Sequence, residues 1–314
     1  MKKVFCIGEL LIDFVAEKQG SDLSKATYFT KKAGGAPANV ACAIAKLGGR
    51  SVFIGSVGDD PFGTFLLDVL RENRVDVSLA QRTETFTTLA FVSLAENGER
   101  DFVFSRGADK ELQYNSAIKS EFAGNLIHLG AATALLGGKL EEAYGHYFFD
   151  GLTKKSFISF DPNYRADLWK NKQQNFAKKC MTFVEKADLC KFSLEEAQLL
   201  SGKEDVAEAC RFLHEVGTNI IAVTLGASGT LISTREFQET VPSIKVKAVD
   251  TTGAGDAFIG CLLQQIAALT NTDSLAGDRD LLVSMVAKAN KAGAITTTNY
   301  GAIESLPDQE QLSA

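Results

Sequence analysis

The chain has 314 residues, 45% of them hydrophobic, enough for a substantial core and best accommodated as one large domain with an appendage. A formal net charge of -6 leaves no basic field to draw nucleic acid or an anionic membrane, so any phosphate binding must be local. Six cysteines form no C-x-x-C pair and mostly sit in apolar runs, as reduced core thiols do, and no segment reaches the ~18 apolar residues of a membrane span; a cytoplasmic protein is expected.

The opening MKKVFCIGELLIDFV mimics a signal peptide, but Glu9 and Asp13 interrupt it and no small-residue cleavage pattern follows. Val4 to Ile7 reads as a strand ending at Gly8-Glu9, and Leu10 to Val15 continues extended. Asp13 in that apolar neighbourhood is either paired or capping, or it holds sugar hydroxyls. Gly34-Gly35 then turns into a helix from Ala38 to Leu47, with Pro37 near its first turn and Gly48-Gly49 ending it. Backbone at the two glycines can approach a ligand closely, and Asn39 can cap the helix. A strand (Ser51 to Ser56), a Gly-Asp turn and a helix (Phe62 to Asn73) complete a βαβ-like unit.

Residues 85 to 104 read as a β-hairpin around Asn97-Gly98, the strongest short hairpin signal. With the polar segment around 14 to 32 this hairpin is expected to build a separate small sheet, a lid comprising 13-32 and 85-106, against a main α/β body of 1-12, 33-84 and 107-314. From Leu126 strands and helices alternate: strand 126 to 129, helix 139 to 153, strand 157 to 160, helix 173 to 186, strand 188 to 192, helices 194 to 201 and 204 to 216, strand 220 to 225. Such order predicts a mainly parallel, doubly wound sheet with helices on both faces, whose ligands bind at the carboxyl ends of the strands. Asp161, Lys191, Gly226 and Asp250 fall there. His128, His146 and His214 lie inside apolar elements, where packing is a better account than metal binding. Glu195-Glu196 opens a helix, where carboxylates complement the dipole. Thr224-Leu225-Gly226-x-x-Gly229 is a strand-end turn.

Residues 243 to 260, SIKVKAVDTTGAGDAFIG, carry the most chemistry. Ile244, Val246 and Ala248 alternate with Lys245 and Lys247, as a half-buried strand would, and Ala257 to Leu269 reads as a buried helix. Between them Gly253-Ala254-Gly255 lets backbone N–H groups at the helix start converge on an anion. Asp256 at that start is either a cap or a base that takes a proton from an attacking hydroxyl; a carboxylate does not ligate phosphate. A Walker loop is excluded, since no G-x-x-x-x-G-K-[ST] occurs, and Phe258 spoils the dinucleotide fingerprint.

Taken together these pieces resemble the ribokinase-like (PfkB) carbohydrate kinases over essentially the whole chain. Two motifs carry the resemblance: Gly34-Gly35-Ala36-Pro37-Ala38-Asn39, with Gly48 and Gly58 after it, and Asp250-Thr251-Thr252-Gly253-Ala254-Gly255-Asp256. Cys261 departs from the Ala or Gly usual in the second. Gly8 to Asp13, the Ala36-Pro37 version of the glycine motif, and Asp161 to Arg165 with Trp169 look most like the fructokinases of that family. The resemblance implies ATP and Mg²⁺, with Asp256 as base and Gly253, Ala254 and Gly255 as anion hole. It implies sugar contacts at Asp13, Gly34, Gly35 and Asn39. Lys191, Ser193, Glu196, Thr224, Gly226 and Gly229 match the nucleotide side, with Asn290 near the base, although many relatives have Asn in place of Ser193. Glu196 matches the Mg²⁺ side, through water, and Asp250 with Thr252 matches a loop that holds K⁺ in some relatives. Apart from the resemblance, the open edges of an exposed small sheet need covering, so the 85 to 104 hairpin is expected to cover the sugar and to pair with its counterpart in a homodimer. Two alternatives stand beside fructose phosphorylation: a 2-keto-3-deoxygluconate kinase, for which Arg106 and Arg165 would grip the substrate carboxylate, and a non-catalytic sugar-binding regulator.

Overall fold

The computed structural model describes residues 1–17, 20, 23–94 and 100–313. β1 (Lys3–Ile7) is followed by the antiparallel pair β2 (Leu11–Ala16) and β3 (Phe29–Gly34). α1 (Ala36–Lys46) opens two residues earlier than its apolar pattern suggests, because Pro37 fits its first turn and Gly35 caps it. β4 (Arg50–Ile54), β5 (Ser56–Gly58), α2 (Pro61–Glu72) and β6 (Gln81–Thr83) form the expected strand–helix–strand unit, with β5 and β6 parallel. Asp60 caps α2 by accepting the N–H groups of Phe62 and Gly63, each at 2.9 Å.

β7 (Leu89–Leu94) and β8 (Arg100–Ser105) pair antiparallel, as a hairpin requires; the Asn97-Gly98 turn itself lies outside the described residues. These strands join the earlier pair in a separate four-stranded sheet of order β3-β2-β7-β8. Its strands take in Leu11, Ile12, Ala33 and Gly34 as well as residues of 13-32.

The chain then alternates through β9 (Leu126–Gly130), α3 (Lys139–Thr153), β10 (Phe157–Asp161), α4 (Gln173–Val184), β11 (Leu189–Ser193), α5 (Leu194–Ser201), α6 (Val206–Val216) and β12 (Ile220–Thr224). A hairpin of β13 (Thr230–Ser233) and β14 (Gln238–Val241) follows, then α7 (Ala254–Ala268), α8 (Arg279–Thr296) and α9 (Gln309–Ser313). The central sheet has the order β14-β13-β12-β11-β10-β9-β1-β4, parallel except for the last hairpin. Both of its faces are covered. Along β9, Leu126 packs into the layer of α1, α7 and α8, while Ile127 and Leu129 pack into that of α3 to α6. This is the doubly wound architecture the strand–helix alternation implies.

One element is absent. Residues 243–249 do not form a strand: they run irregularly between β14 and α7, with Ile244, Val246 and Val249 exposed. Pro242 removes a backbone donor just after the edge strand β14, and the run turns away without pairing to that strand's open edge. Asp250 therefore sits in a loop rather than at a strand end.

Two helices fix the geometry that matters for chemistry. α1 and α7 cross so closely that a Cβ on Gly260 would lie 2.5 Å from the Cβ of Ala43. Asn39 and Asp256 lie four residues before these two, one helical turn nearer the strand ends, and so face one another. Cys261, beside the crossing, is fully buried.

Candidate active site

α7 opens at Gly253, whose φ of 78° is left-handed and whose added Cβ would fall 2.7 Å from that of Ala302. Only glycine meets both conditions. A helix leaves its first N–H groups without helical partners. Here they belong to Ala254, Gly255 and Asp256, of which Ala254's turns back to the Thr251 carbonyl at 3.3 Å. At this positive helix end Asp256 is 8% exposed, and its Oδ2 accepts the Asn39 amide Nδ2–H at 2.8 Å. Burial pushes its carboxyl up to about 6, opposed by the Asn39 bond and the Lys191 charge. It is thus still ionised at neutral pH, yet a stronger base than an ordinary aspartate.

The neighbouring strands bring in the cation. Lys191 on β11 pairs with Asp161 at the end of β10, Nζ to Oδ2 at 3.1 Å, both side chains being buried. Burial alone would lower the ammonium's pKa, but the carboxylates of Asp161, Glu196 and Asp256 outweigh it and raise the pKa. A Cβ on Gly255 would lie 3.1 Å from Lys191 Nζ, so this glycine leaves room for the ammonium beside the start of α7. Glu196 closes a capping box with Ser193: Ser193 Oγ accepts the Glu196 N–H at 3.1 Å, and Glu196 Oε2 accepts the Ser193 N–H at 2.7 Å. Its other oxygen accepts the Tyr164 N–H, also at 2.7 Å. Burial raises its pKa, with Lys191 opposing.

Gly253, Gly255, Asp256, Lys191, Ser193, Glu196 and Tyr164 line one cavity of about 390 Å³ together with Asp13, Gly35, Asn39 and Arg165, while Ala254 and Asp161 lie behind its wall. Gly34 leaves room for the Asp13 carboxyl, since a Cβ there would lie 2.0 Å from Asp13 Oδ2. Arg165 reaches the cavity while donating to the Tyr164 carbonyl at 3.1 Å. Arg106 does not line it. Its Nε is held by the buried Asp109 at 3.0 Å, and Asp109 is in turn bonded to Thr88.

The remaining expected residues, Thr252 excepted, lie apart from this cavity. Thr224 donates to the Phe192 carbonyl, and Gly226 and Gly229 shape the β12–β13 turn, where a Cβ on Gly229 would strike the Val241 carbonyl at 2.1 Å. Asn290 accepts from Thr230 at 2.6 Å and donates to the Val241 carbonyl at 2.9 Å, tying α8 to the β13–β14 hairpin. Asp250 accepts the Thr252 N–H and hydroxyl at 2.9 and 2.6 Å and the Gly301 N–H at 3.0 Å. Asp250 and Thr252 line a second cavity, of about 760 Å³, between this loop and the small sheet, and Asp13 and Thr252 line both. Among the described residues no cluster of His, Cys, Asp and Glu is arranged to hold a metal ion. His128 and His214 make buried bonds to Ser159, and to Thr218 and Ser233. All six cysteines are buried and free. Among the described residues no helix is long and apolar enough to cross a membrane.

Glu9 and Asn163 are cavity residues that the expected site leaves out. Glu9 is the more telling of the two. It follows β1, is 1% exposed, and accepts the Ala36 N–H through Oε1 at 3.0 Å. The signal was available, since an acid in an apolar neighbourhood is the criterion that picks out Asp13.

Comparison with known proteins agrees with this geometry. The pfkB family carbohydrate kinase pattern matches residues 1–309. The probable fructokinase-2 of Arabidopsis thaliana is 37% identical over 316 residues, covering 99% of this chain and 94% of the plant protein. A fructokinase from Xylella fastidiosa with bound ATP superposes with a TM-score of 0.88 at 32% identity, covering 99% of this chain and 97% of its own. A fructokinase from Vibrio cholerae O395, with fructose, ADP and calcium ion bound, gives 0.85 at 32% identity, covering 100% and 98%.

Proposed function

Because the chain belongs to the pfkB family of carbohydrate kinases, we propose that it phosphorylates D-fructose with ATP at the 6-hydroxyl. The observation that carries the chemistry is the Asn39–Asp256 pair at the start of α7, facing the cavity that Lys191 and Asp13 also line. Asp256 takes the hydroxyl proton while the sugar oxygen bonds to the terminal phosphorus. The bond from that phosphorus to the bridging oxygen breaks, and ADP departs with the electron pair. Gly253, Ala254 and Gly255 present backbone to the group in transit, where fixed dipoles stabilise charge without reorganising. Asn39 aims the base, and Lys191 balances charge beside it.

Mg²⁺ supplies charge neutralisation on the phosphates when bound. Both Glu196 oxygens already accept backbone N–H groups, so this residue suits an outer contact through water better than direct ligation. Asp250 and Thr252 are assigned to K⁺, whose effect on turnover is the check. Thr224, Gly226, Gly229 and Asn290 are assigned to the adenosine side. The small sheet acts as a lid that keeps water from the phosphoryl group, and its face that carries the exposed Val103, away from the cavity, is the surface of a homodimer that sedimentation at micromolar concentration should reveal.

The keto-acid reading needs two arginines on one carboxylate. Arg165 lines the cavity, but Arg106 does not, and its Nε is given to Asp109. An idle regulator leaves the buried, amide-oriented Asp256 unexplained. The deciding experiment offers purified protein Mg-ATP and K⁺ with D-fructose, 2-keto-3-deoxygluconate, ribose, adenosine or fructose 6-phosphate, following ADP release. Fructose should win in kcat/KM by at least about tenfold. Victory for the keto-acid would overturn this reading.

A further inference from the structure

Glu9 has no part in the reaction just described, yet its carboxyl is built into the wall of the same cavity, beside Asp13, Asn39 and Asp256. One oxygen is accounted for, because Oε1 accepts the Ala36 N–H in the first turn of α1. The Glu9 backbone supports the same turn: a Cβ on Gly35 would lie 2.5 Å from the Glu9 carbonyl oxygen. The other carboxyl oxygen, Oε2, is buried with no protein partner. Native proteins rarely leave such an atom unpaired, and those that do keep it for a ligand or a water.

Two more residues of this wall are in the same condition, Asn39 at Oδ1 and Asn163 at Nδ2. Asn163 is buried in a left-handed conformation, φ 48°. A wall offering a carboxylate acceptor, an amide acceptor and an amide donor matches a polyhydroxylated molecule, because every hydroxyl both donates and accepts. We infer that Glu9 is a specificity-determining residue: Oε2 accepts a hydrogen bond from a hydroxyl of the bound sugar, while Oε1 holds the Gly34-Gly35-Ala36 turn in place beside it. This rests on the sugar-kinase reading above. The competing partner is internal. Tyr144 also has a buried hydroxyl without a partner and feels the Glu9 charge, and a Tyr144–Glu9 link, direct or through water, would leave sugar affinity independent of Oε2.

Glu9→Gln separates the two functions, since its amide oxygen still accepts the Ala36 N–H while Oε2 is replaced by a donor. Sugar binding is measured by calorimetry on the full chain without nucleotide, and kcat/KM with fructose and its 1-, 3- and 4-deoxy analogues. The variant should bind fructose at least about tenfold more weakly, with KM for ATP within about twofold. One monodeoxy analogue, already weak on the wild type, should bind the variant no worse, because the two losses remove the same hydrogen bond. Unchanged fructose affinity, losses that add for every analogue, or an equal loss of ATP affinity would each overturn the inference. A wild-type protein that turns over none of the sugars rejects the kinase reading instead, and the calorimetric comparison still decides whether Glu9 reads the sugar.

Discussion

Replacing Asn39 by Ala tests whether the α1–α7 crossing tunes the base. In the native protein the Asn39 amide donates to Asp256 at 2.8 Å and holds down a carboxyl that burial pushes up to about 6. A hydrogen bond to a charged group contributes about 1.5–3 kcal/mol. At ~1.4 kcal/mol per pKa unit, losing it raises the Asp256 pKa by roughly one to two units. The acid limb of kcat/KM, which reports the free enzyme, should therefore move from pH about 6 to about 7–8. A weaker grip on the sugar in the variant lowers the whole curve without moving its limb. At pH 6.5 the base is about three-quarters ionised in the native protein and about one-tenth in a variant with a pKa near 7.5, so the deficit there should exceed that at pH 9 by about eightfold. Initial rates across pH 5 to 9, at fructose well below KM, give both curves. A limb that stays at pH 6, or moves down, would refute the assignment of Asp256 as base and of Asn39 as its tuner.

Asp256→Asn should lower turnover by roughly 10²- to 10⁴-fold while fructose affinity by calorimetry changes only a few-fold; near-normal turnover removes Asp256 from the role. Gly260→Ala places a methyl 2.5 Å from the Cβ of Ala43, so thermal unfolding should show about 1–3 kcal/mol of overpacking, with turnover falling as α1 is displaced; an unchanged melting temperature would mean that the crossing is loose. Burial raises the Glu9 carboxyl to about 7 from the ordinary 4.5. The native state then holds this proton where the unfolded chain releases it, so stability falls as pH rises from about 4.5 to about 7 and levels off above. That contribution is about 3 kcal/mol, and denaturant titrations of Glu9→Gln should lack it.

The fold was legible wherever local pattern and topology agree. From Leu126 to Thr224, apolar strands alternate with amphipathic helices, and each expected element forms within a few residues of its place. Glycines with one backbone solution, Gly35 and Gly253, also announce themselves. The run 243–249 misled because alternation records only that one face is apolar; whether a ladder is free to receive the strand depends on β14 and Pro242, and no periodicity encodes that. The short β13–β14 hairpin went unread between its turns. Partnerships across long sequence separations were equally hidden. Lys191 and Asp161 stand at visible strand ends, but their ion pair follows from the β10–β11 neighbourhood, and the capture of Arg106 by Asp109 depends on a turn just beyond β8.

Charge accounting explains why such a site works only with a cation. Among the described residues lining the main cavity, the carboxyls of Glu9, Asp13, Glu195, Glu196 and Asp256 face only two cations, Arg165 and Lys191, and Lys191 is already paired with Asp161. A nucleotide triphosphate adds negative charge to a wall that has too much of it. Backbone dipoles at the start of α7 offset roughly half a charge, which leaves most of the imbalance standing. Burial has already moved two of the carboxyls toward neutrality, Glu9 to about 7 and Asp256 to about 6. A divalent ion held on the phosphates would cancel about half of the charge the nucleotide brings and so would favour the ionised form of Asp256 relative to the metal-free nucleotide. The metal–nucleotide still brings net negative charge, so the acid limb of kcat should lie no lower than that of kcat/KM.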